Sequence, residues 1–238
     1  MSNERPRLSV VLPAYNEEAN IGQTVQEALS FLPGFAPVGE SFEVVVVDDG
    51  SRDGTGRIVQ ELASREPRVR LVQHKVNQGY GQALRSGFDA ARGELIFFMD
   101  SDGQFVFAEI AKLFAQIDRY DGVLGYRMHR QDSLMRRLNA FGWNSLTKLL
   151  FGLGVRDIDC AFKLYRREAV KEAKLASGGA LINAEMLARA KRKGCRFTQV
   201  GVTHRPRRAG EQTGANLRVI LRAFRELFRL YSRIRRGE

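Results

Sequence analysis

The 238-residue chain is 44% hydrophobic and carries a formal net charge of +11 at pH 7, which predicts one domain with a sizeable buried core. No apolar run approaches the ~20 residues of a membrane-spanning helix, and the N-terminus lacks the apolar centre of a signal peptide, so we expect a cytoplasmic protein. Two cysteines far apart in the chain, Cys160 and Cys195, argue against a disulfide framework and against a zinc site.

Strands and helices alternate in the first hundred residues. Four short apolar runs predict strands, at Leu8–Pro13, Phe42–Asp49, Val69–His74 and Glu94–Met99. Helices are predicted between them, over Asn20–Ser30, from a cap at Asp53 to about Arg65, and over Gly81–Ala91. Alternation of this kind is typical of an α/β fold, with a mostly parallel sheet that carries helices on both faces.

Beyond Asp102 the alternation is less regular. Helices are predicted at Phe107–Tyr120, Leu134–Phe151, Arg167–Lys174 and Asn183–Lys193, and short strands at Gly122–Gly125 and Phe197–Val202. A polar loop, His204–Asn216, precedes the last helical segment. We therefore expect a main domain over residues 1–214 and a basic helix over residues 215–238.

Two of the predicted strands end in a pair of acids. Asp48 and Asp49 end the second strand, and Asp100 and Asp102 follow the fourth. Ligands of open α/β sheets bind outside the carboxyl ends of the strands, and crowded carboxylates repel one another unless a cation compensates. The pairs therefore predict an oxygen-bound Mg²⁺ or Mn²⁺, with Gln104 as a further ligand. The alternative is that both pairs belong to ordinary polar turns.

Three motifs in order carry a family resemblance. They are "LPAYNEEANI" (Leu12–Ile21), "VVVVDDGSRDGTG" (Val44–Gly56) and "NQGYGQALRSGFDAARGELIFFMDSDGQF" (Asn77–Phe105). Together they resemble the family 2 glycosyltransferases, and within that family the dolichyl-phosphate mannose and glucose synthases and their bacterial polyprenyl-phosphate relatives. The resemblance covers about Leu8 to Gly214. It implies an A-type glycosyltransferase fold and an inverting transfer of a hexose from a UDP- or GDP-linked donor to a polyprenyl or dolichyl phosphate.

The resemblance also assigns the residues of the donor site. The positions that match nucleotide-sugar-binding positions are Pro13, Ala14, Tyr15, Glu17, Asp48, Asp49, Ser51, Gly79, Asp100, Ser101 and Asp102. Either Asp49 or its neighbour Asp48 would hold the base. Asp100, Asp102 and Gln104 match the metal-binding triplet of the family. A divalent ion held there would stabilise the charge that develops on the departing nucleotide.

Further matching residues are assigned to the phosphates and to the acceptor. Arg127, in "LGYR", and one of Arg136 and Arg137 match phosphate-contacting positions, with solvent-facing charge as the alternative. Asp159 and Glu185 would face the acceptor, and for Glu185 a solvent-facing helix position is the alternative. A hydroxyl acceptor needs a general base such as a carboxylate, whereas a lipid phosphate is already anionic and needs mainly positioning. Asp102, Asp159 and Arg127 are thus the expected catalytic residues.

The loop His204–Asn216 stands where family members carry a basic loop that closes over the diphosphate. Its candidate residues are Arg207, Arg208, Gln212 and Thr213. Two departures from the lipid-phosphate synthases are visible. Gln212 and Thr213 replace the usual Ser-Lys, and Ala161 replaces the glycine of the "D-x-x-C-G-F-K" region.

The C-terminal segment is basic and amphipathic. From Thr203 to Glu238 the chain has ten arginines against three acids. Apolar residues at helical spacing share one side of the predicted helix: Leu217, Ile220, Leu221, Phe224, Leu227, Phe228, Tyr231 and Ile234. Such a helix lies in an anionic membrane interface, packs on the sheet of its own chain, or pairs with a second copy in a homodimer. A lipid-phosphate acceptor favours the membrane, which would make the protein peripheral at the inner face.

Three functions therefore compete. The leading one is a metal-dependent transferase that moves a sugar to polyprenyl phosphate, and the second uses a soluble or glycan hydroxyl as the acceptor. The third is a basic nucleic-acid-binding α/β protein. The chain contains no recognisable nucleic-acid-binding motif and its excess charge is concentrated in one helix, so we expect no nucleic-acid partner.

Overall fold

The computed structural model describes residues 5–128, 142, 145–179, 181–206 and 217–236, and the side chains of the last segment from residue 226 onward. Its strands are β1 (Leu8–Ala14), β2 (Phe42–Asp48), β3 (Val69–Gln73), β4 (Leu95–Met99), β5 (Gly122–Met128), β6 (Phe162–Arg166) and β7 (Phe197–Thr203). Its helices are α1 (Ile21–Phe31), α2 (Thr55–Arg65), α3 (Tyr80–Ala90), α4 (Ile110–Ile117), α5 (Arg167–Ala173), α6 (Ile182–Arg192) and α7 (Leu217–Arg236).

The seven strands form one sheet in the order β3-β2-β1-β4-β6-β5-β7. The first four strands along the chain are parallel, and they are the four that the sequence predicts. The predicted α/β class with a mostly parallel sheet is confirmed. Strands β1, β2 and β4 are buried along their whole length, as expected for strands covered on both faces, which explains their nearly continuous apolar sequence.

Strand β6 is absent from the sequence prediction. It runs antiparallel to both of its neighbours, β4 and β5. Beyond it, β5 and β7 pair in parallel. The sheet is therefore mixed, and the single reversed strand joins the half that contains β1 to β4 to the half that contains β5 and β7.

Most predicted boundaries shift by one or two residues, but two differences are larger. The predicted helix Phe107–Tyr120 begins with a 3₁₀ turn at Phe107–Glu109 and ends at Ile117. Strand β5 extends to Met128, three residues past the prediction, because it pairs with β7 over its full length. Of the predicted helix Leu134–Phe151, residues 145–151 are described as helical, and most of the rest lies outside the described part of the chain.

Helix α7 packs against its own chain. Leu227, Leu230 and Ile234 are buried, and the guanidinium of Arg192 on α6 donates to the carbonyl oxygen of Ile234. These positions follow helical spacing, i, i+3 and i+7, so they define the docked face. Phe228, which the sequence pattern grouped with the docked side, is 51% exposed. No described helix has the length and apolar character needed to cross a membrane.

Candidate active site

The carboxyl ends of β1, β2 and β4 open into a cleft of about 570 Å³. Parallel strands bring their carboxyl ends to one edge of the sheet, so the segments that follow them converge there. The cleft is lined by Pro13, Ala14, Tyr15, Glu17, Asp49, Asn77, Gly79, Tyr80, Ala83, Asp100, Ser101 and Asp102. Most of the residues predicted to bind the nucleotide-sugar thus share one cavity, and Asp48 and Ser51 are outside its lining.

The adjacent acids Asp48 and Asp49 have different surroundings. Asp48 is 1% exposed, and its carboxylate accepts hydrogen bonds from the backbone N–H of Ser51 (2.9 Å) and from Nε2 of Gln73 (2.9 Å). Asp49 lines the cleft instead. Asp48 is the last residue of β2 and Asp49 follows the strand, and only Asp49 reaches the cleft. The structure therefore favours Asp49 over Asp48 as the candidate base contact.

Asp49 also fixes the start of α3. Its two carboxylate oxygens accept from the backbone N–H groups of Gln78 (2.9 Å) and Gly79 (2.8 Å), and Nδ1 of His74 lies 2.6 Å from Oδ1. Gly79 has a φ of +94°, a conformation that side chains with a Cβ rarely adopt. The carboxylate thus holds the backbone of residues 78–79 at the wall of the cleft.

The loop after β1 is tied to the loop after β2. The backbone N–H of Asn16 donates to Oγ of Ser51 (2.9 Å), and the backbone N–H of Glu17 donates to Oγ1 of Thr55 (2.8 Å). Nδ2 of Asn20 donates to Oε2 of Glu17 (2.7 Å). Ser51 therefore supports the loop after β1, while Tyr15, at 36% exposure, lies on the open side of that loop.

The segment after β4 presents two carboxylates to the cleft. Asp100, Ser101 and Asp102 all line it, and Oγ of the buried Ser101 donates to the carbonyl oxygen of Pro13 (2.8 Å). The backbone N–H of Gln104 donates to Oδ1 of Asp102 (3.1 Å). Ser101 thus anchors the turn to β1, between the two acids that face the cleft.

The environment of Asp100 disfavours its charged form. Loss of water around the carboxyl, and after that the charge of Asp102, raise the pKa of Asp100 to about 7, although a hydrogen bond from Tyr80 opposes the shift. The same enclosure, followed by the charge of Asp100, raises the pKa of Tyr80 well above its usual value. Crowded acids in a desolvated cleft are an environment that a cation stabilises.

Sequence reasoning missed the buried cation behind these acids. Lys163, on β6, has no exposed surface, and its Nζ donates to the carbonyl oxygen of Ile158 (2.9 Å) and to Oδ1 of Asn183 (2.8 Å). Burial lowers the pKa of Lys163 to about 8. Asn183 also forms a hydrogen bond with Tyr80, so the chain Lys163–Asn183–Tyr80–Asp100 connects β6 to the floor of the cleft.

Arg127 lies at the end of β5, where it pairs with an acid. Its Nε and Nη2 donate to the two carboxylate oxygens of Asp157, at 2.7 Å and 2.8 Å. Burial opposes its charge, but this two-point pairing outweighs burial and raises the pKa of Arg127. The positive charge of Arg127 opposes the rise in the pKa of Asp100. The charge of Asp159 contributes to the pKa values of Tyr80, Lys163 and Arg127, so Asp159 lies close to the same group of charges. A solvent-facing Arg127 is excluded.

Glu185 is fully buried, and the alternative of a solvent-facing position is wrong. Its Oε2 accepts from the backbone N–H groups of Ala176 (3.1 Å) and Ser177 (2.7 Å), and its Oε1 accepts from Nε of Arg189 (2.7 Å). Glu185 therefore holds the segment 174–179. The carbonyl oxygen of Gly178 in that segment accepts from the backbone N–H of Gln82 (3.2 Å), beside the cleft.

The predicted loop over the diphosphate begins within the described residues. Nε2 of Gln104 donates to the carbonyl oxygen of Arg205 (2.9 Å), and the backbone N–H of Arg205 donates to the carbonyl oxygen of Gln104 (2.8 Å). The loop is thus joined to the turn that carries the acids. Six predicted residues lie outside the described part of the chain: Arg136, Arg137, Arg207, Arg208, Gln212 and Thr213.

The chemistry of this cleft suits a hard divalent ion. Among the described residues no group of three or more His, Cys, Asp or Glu side chains forms a closed metal cage. Asp100 and Asp102 supply carboxylate oxygens, and the amide of Gln104 donates through nitrogen elsewhere, which leaves its Oε1 as an acceptor. An open set of few oxygen ligands is the arrangement in which Mg²⁺ or Mn²⁺ retains positions for substrate phosphates.

Comparison with known proteins agrees with the sequence resemblance. The profile of the family described as Glycosyl transferase family 2 matches residues 9–173. The chain is 38% identical, over 69% of its length, to the undecaprenyl-phosphate 4-deoxy-4-formamido-L-arabinose transferase of Shewanella sediminis, and covers 49% of that protein. It is 35% identical, over 68% of its length, to the human dolichyl-phosphate beta-glucosyltransferase, and covers 56% of it. The chain thus spans about half the length of these relatives.

Solved structures share the fold at lower identity. The UDP complex of glucosyl-3-phosphoglycerate synthase from Mycobacterium tuberculosis superimposes with a TM-score of 0.69 at 23% identity, covering 95% of this chain and 80% of that one. The complex of the same enzyme with Mn²⁺, UDP and phosphoglyceric acid gives 0.66 at 22% identity, with 94% and 77% covered. The sheet and its flanking helices are those of an A-type glycosyltransferase fold, and the chain belongs to glycosyl transferase family 2.

Proposed function

We propose that this protein is a metal-dependent inverting glycosyltransferase that moves a hexose from a UDP- or GDP-linked donor to a polyprenyl phosphate. The observation that carries the proposal is the pair Asp100 and Asp102, two crowded carboxylates that share one cleft with Asp49 and the loop after β1. Relatives that are 38% and 35% identical are named as transferases of undecaprenyl phosphate and dolichyl phosphate, which supports this acceptor class.

Different residues of the cleft would bind the nucleoside and the diphosphate of the donor. Asp49 and Tyr15 would contact the nucleoside, and Asp100, Asp102 and Gln104 would hold Mg²⁺ or Mn²⁺ against the diphosphate. The ion would supply electrostatic stabilisation of the departing diphosphate. Arg127 would add positive charge on the β5 side of the cleft while Asp157 keeps its guanidinium in place.

The acceptor decides whether Asp159 acts as a base. A phosphate monoester is largely ionised at neutral pH, so attack on the sugar carbon needs positioning and no proton transfer. With a hydroxyl acceptor, a carboxylate in the position of Asp159 would have to take up the proton. The two acceptor classes therefore predict a small and a large loss of turnover, respectively, for Asp159→Asn.

The lipid acceptor also implies contact with a membrane. The outward side of α7 carries Phe228, Arg229, Ser232, Arg233 and Arg236, which line an open groove. An exposed aromatic side chain flanked by arginines suits an interface with anionic lipid. We accordingly propose a peripheral enzyme at the inner face of the membrane.

The test is transfer of radiolabelled sugar from a panel of UDP- and GDP-linked donors into organic-extractable product, with polyprenyl phosphate and Mg²⁺ or Mn²⁺. We expect counts in the organic phase that disappear on chelation and fall at least about a hundredfold in Asp102→Asn. The matched control is Asp118→Asn, which removes the same charge from an exposed residue and should retain full activity. Metal-dependent donor hydrolysis with an empty organic phase would keep the transferase and reject the lipid acceptor.

A further inference from the structure

A second cavity, of about 230 Å³, lies between α3 and α5. On α3 it is lined by residues of the C-terminal half, whereas the cleft at the carboxyl ends of β1, β2 and β4 (the donor cleft) uses the N-terminal end of the same helix. The two cavities share no lining residue. Four of the residues around the second cavity are cations: Arg85, Arg167, Lys171 and Lys174.

These four cations have little opposing charge. Asp89 is the only acid in the cavity lining, and within the described chain none of the four cations forms a salt bridge. Nη1 of Arg167 donates to the carbonyl oxygens of Ala91 and Gly93, but its Nε is buried without a hydrogen-bond partner among the described residues. A buried donor without a partner costs free energy, and clustered cations repel one another. Both costs are removed by an anion.

The rest of the lining is apolar. Phe88, Ile96 and Val170 are buried core residues that form part of the cavity wall. Arg85 spans from the cavity to the segment beside the donor cleft, since its Nη1 lies 3.4 Å from the carbonyl oxygen of Ala176. The cavity thus combines a cationic rim with an apolar wall, which fits an anionic group that carries at most a small organic body.

We propose that this cavity is a binding site for a phosphate group, as inorganic phosphate or as a small phosphate ester. Four cations against one acid call for a ligand with more than one negative charge, and a phosphate monoester carries about −1.5 to −2 at neutral pH. Guanidinium groups match phosphate oxygens through paired N–H donors, and lysines add point charge. The site is separate from the donor cleft and does not depend on the proposed transfer reaction.

The test is equilibrium dialysis of the full chain against radiolabelled inorganic phosphate and, in a second arm, glycerol phosphate, both with chelator present. We expect saturable binding of one equivalent. Lys171→Gln/Lys174→Gln replaces two exposed side chains, and should weaken binding at least about tenfold, because each charge-assisted hydrogen bond contributes about as much as a tenfold change in affinity. Tighter binding of the ester would identify an organic phosphate as the ligand.

The control is Arg65→Gln/Arg119→Gln, which removes two positive charges from exposed positions elsewhere and should bind as the original protein does. Thermal unfolding of each variant checks that it is folded, and Arg85→Gln provides a second variant on the opposite wall. The proposal is overturned if no saturable binding occurs at millimolar phosphate. It is also overturned if the two double variants bind equally.

Discussion

The negative charges of Asp100 and Asp102 repel each other when no cation is bound. In the folded protein, the loss of water around its carboxyl group and then the negative charge of Asp102 raise the pKa of Asp100 to about 7. A carboxyl whose pKa rises on folding binds more protons in the native state between its two pKa values. Stability therefore falls as the pH rises through that window, and the full penalty is present above about pH 7.

This repulsion predicts that Asp102→Asn stabilises the metal-free protein while it abolishes transfer. At pH 8 with chelator, we expect the free energy of unfolding in urea to rise by about 1 kcal/mol, because removing a like charge relieves Asp100 and functional sites commonly trade stability for activity. Added Mn²⁺ should stabilise the original protein and have little effect on the variant.

Asp118→Asn serves again as the control, since Asp118 is exposed and away from the cleft. Its unfolding free energy should stay within ~0.5 kcal/mol of the original. A lower midpoint for Asp102→Asn than for this control would show that Asp102 is needed for folding, through its hydrogen bond from the N–H of Gln104, more than it opposes folding by repulsion.

Residue-level prediction from sequence reached the cleft but not the contacts within it. The acids at the strand ends were recognisable because the sequence itself shows an apolar run followed directly by aspartates and turn-forming residues. Which of Asp48 and Asp49 faces the cleft depends on the side to which each strand residue points, and the motif alone leaves this open. Lys163 was missed because its role rests on Asn183, 20 residues away in the chain, and on complete burial.

At the scale of elements, the start of α3 packs directly on the segment 174–179. A Cβ added to Gly81 would lie 2.5 Å from the carbonyl oxygen of Gly179 and 2.6 Å from the carbonyl carbon of Gly178. Both contacts are with backbone, which cannot rotate away. The helix and the segment are thus held at a separation that only glycine permits at residue 81.

We predict that Gly81→Ala destabilises the protein and weakens donor binding. Alanine in a helix is favoured over glycine by about 1 kcal/mol, but overpacking against backbone costs typically 1–3 kcal/mol, so the clash should win. Urea unfolding should report a net loss of about 1 kcal/mol, and KM for the donor should rise more than kcat falls, because the displaced backbone borders the cleft. Gly154→Ala, whose added Cβ meets nothing within 4 Å, is the control. Equal midpoints for the two variants would contradict the prediction.

The order of elements was largely predictable, and the missing strand has a physical reason. The sequence of β6, "FKLYR", places a lysine among apolar residues, so neither a continuous apolar run nor a clean alternation marks it as a strand. Its identity depends on pairing with β4 and β5, both distant in sequence. The parallel half was easier to predict because strands buried on both faces have nearly continuous β-branched sequences.

At the scale of the whole molecule, the docking of α7 changes how membrane binding should be tested. Leu227 and Leu230 are buried against the domain, and burying a leucine contributes about 1.5–3 kcal/mol. Deleting the helix would expose this surface and damage the fold. The informative substitutions are therefore on the outward side, where Phe228 is exposed and Arg229 and Arg233 line the open groove.

We predict that Phe228→Ala/Arg229→Gln/Arg233→Gln loses binding to vesicles that contain anionic lipid and keeps its folded stability. Each lysine or arginine near such a surface contributes about 1 kcal/mol, so flotation with the vesicles should fall at least about tenfold. The charge-matched control Arg65→Gln/Arg119→Gln should float as the original protein does. Equal flotation of both variants would show that α7 does not contact the membrane. If the original protein does not float with the vesicles, the peripheral location is wrong.

Helix α6 connects the segment beside the donor cleft to helix α7. Glu185 near its start holds the segment beside the donor cleft, and Arg192 at its end holds α7. Seven residues of α-helix span only about 10 Å. If the outward side of α7 rests on a bilayer, this short, continuous connection ties the segment beside the donor cleft to the helix that contacts the lipid. A polyprenyl chain would then remain dissolved in the hydrocarbon throughout the reaction, and only its phosphate would have to rise into the enzyme.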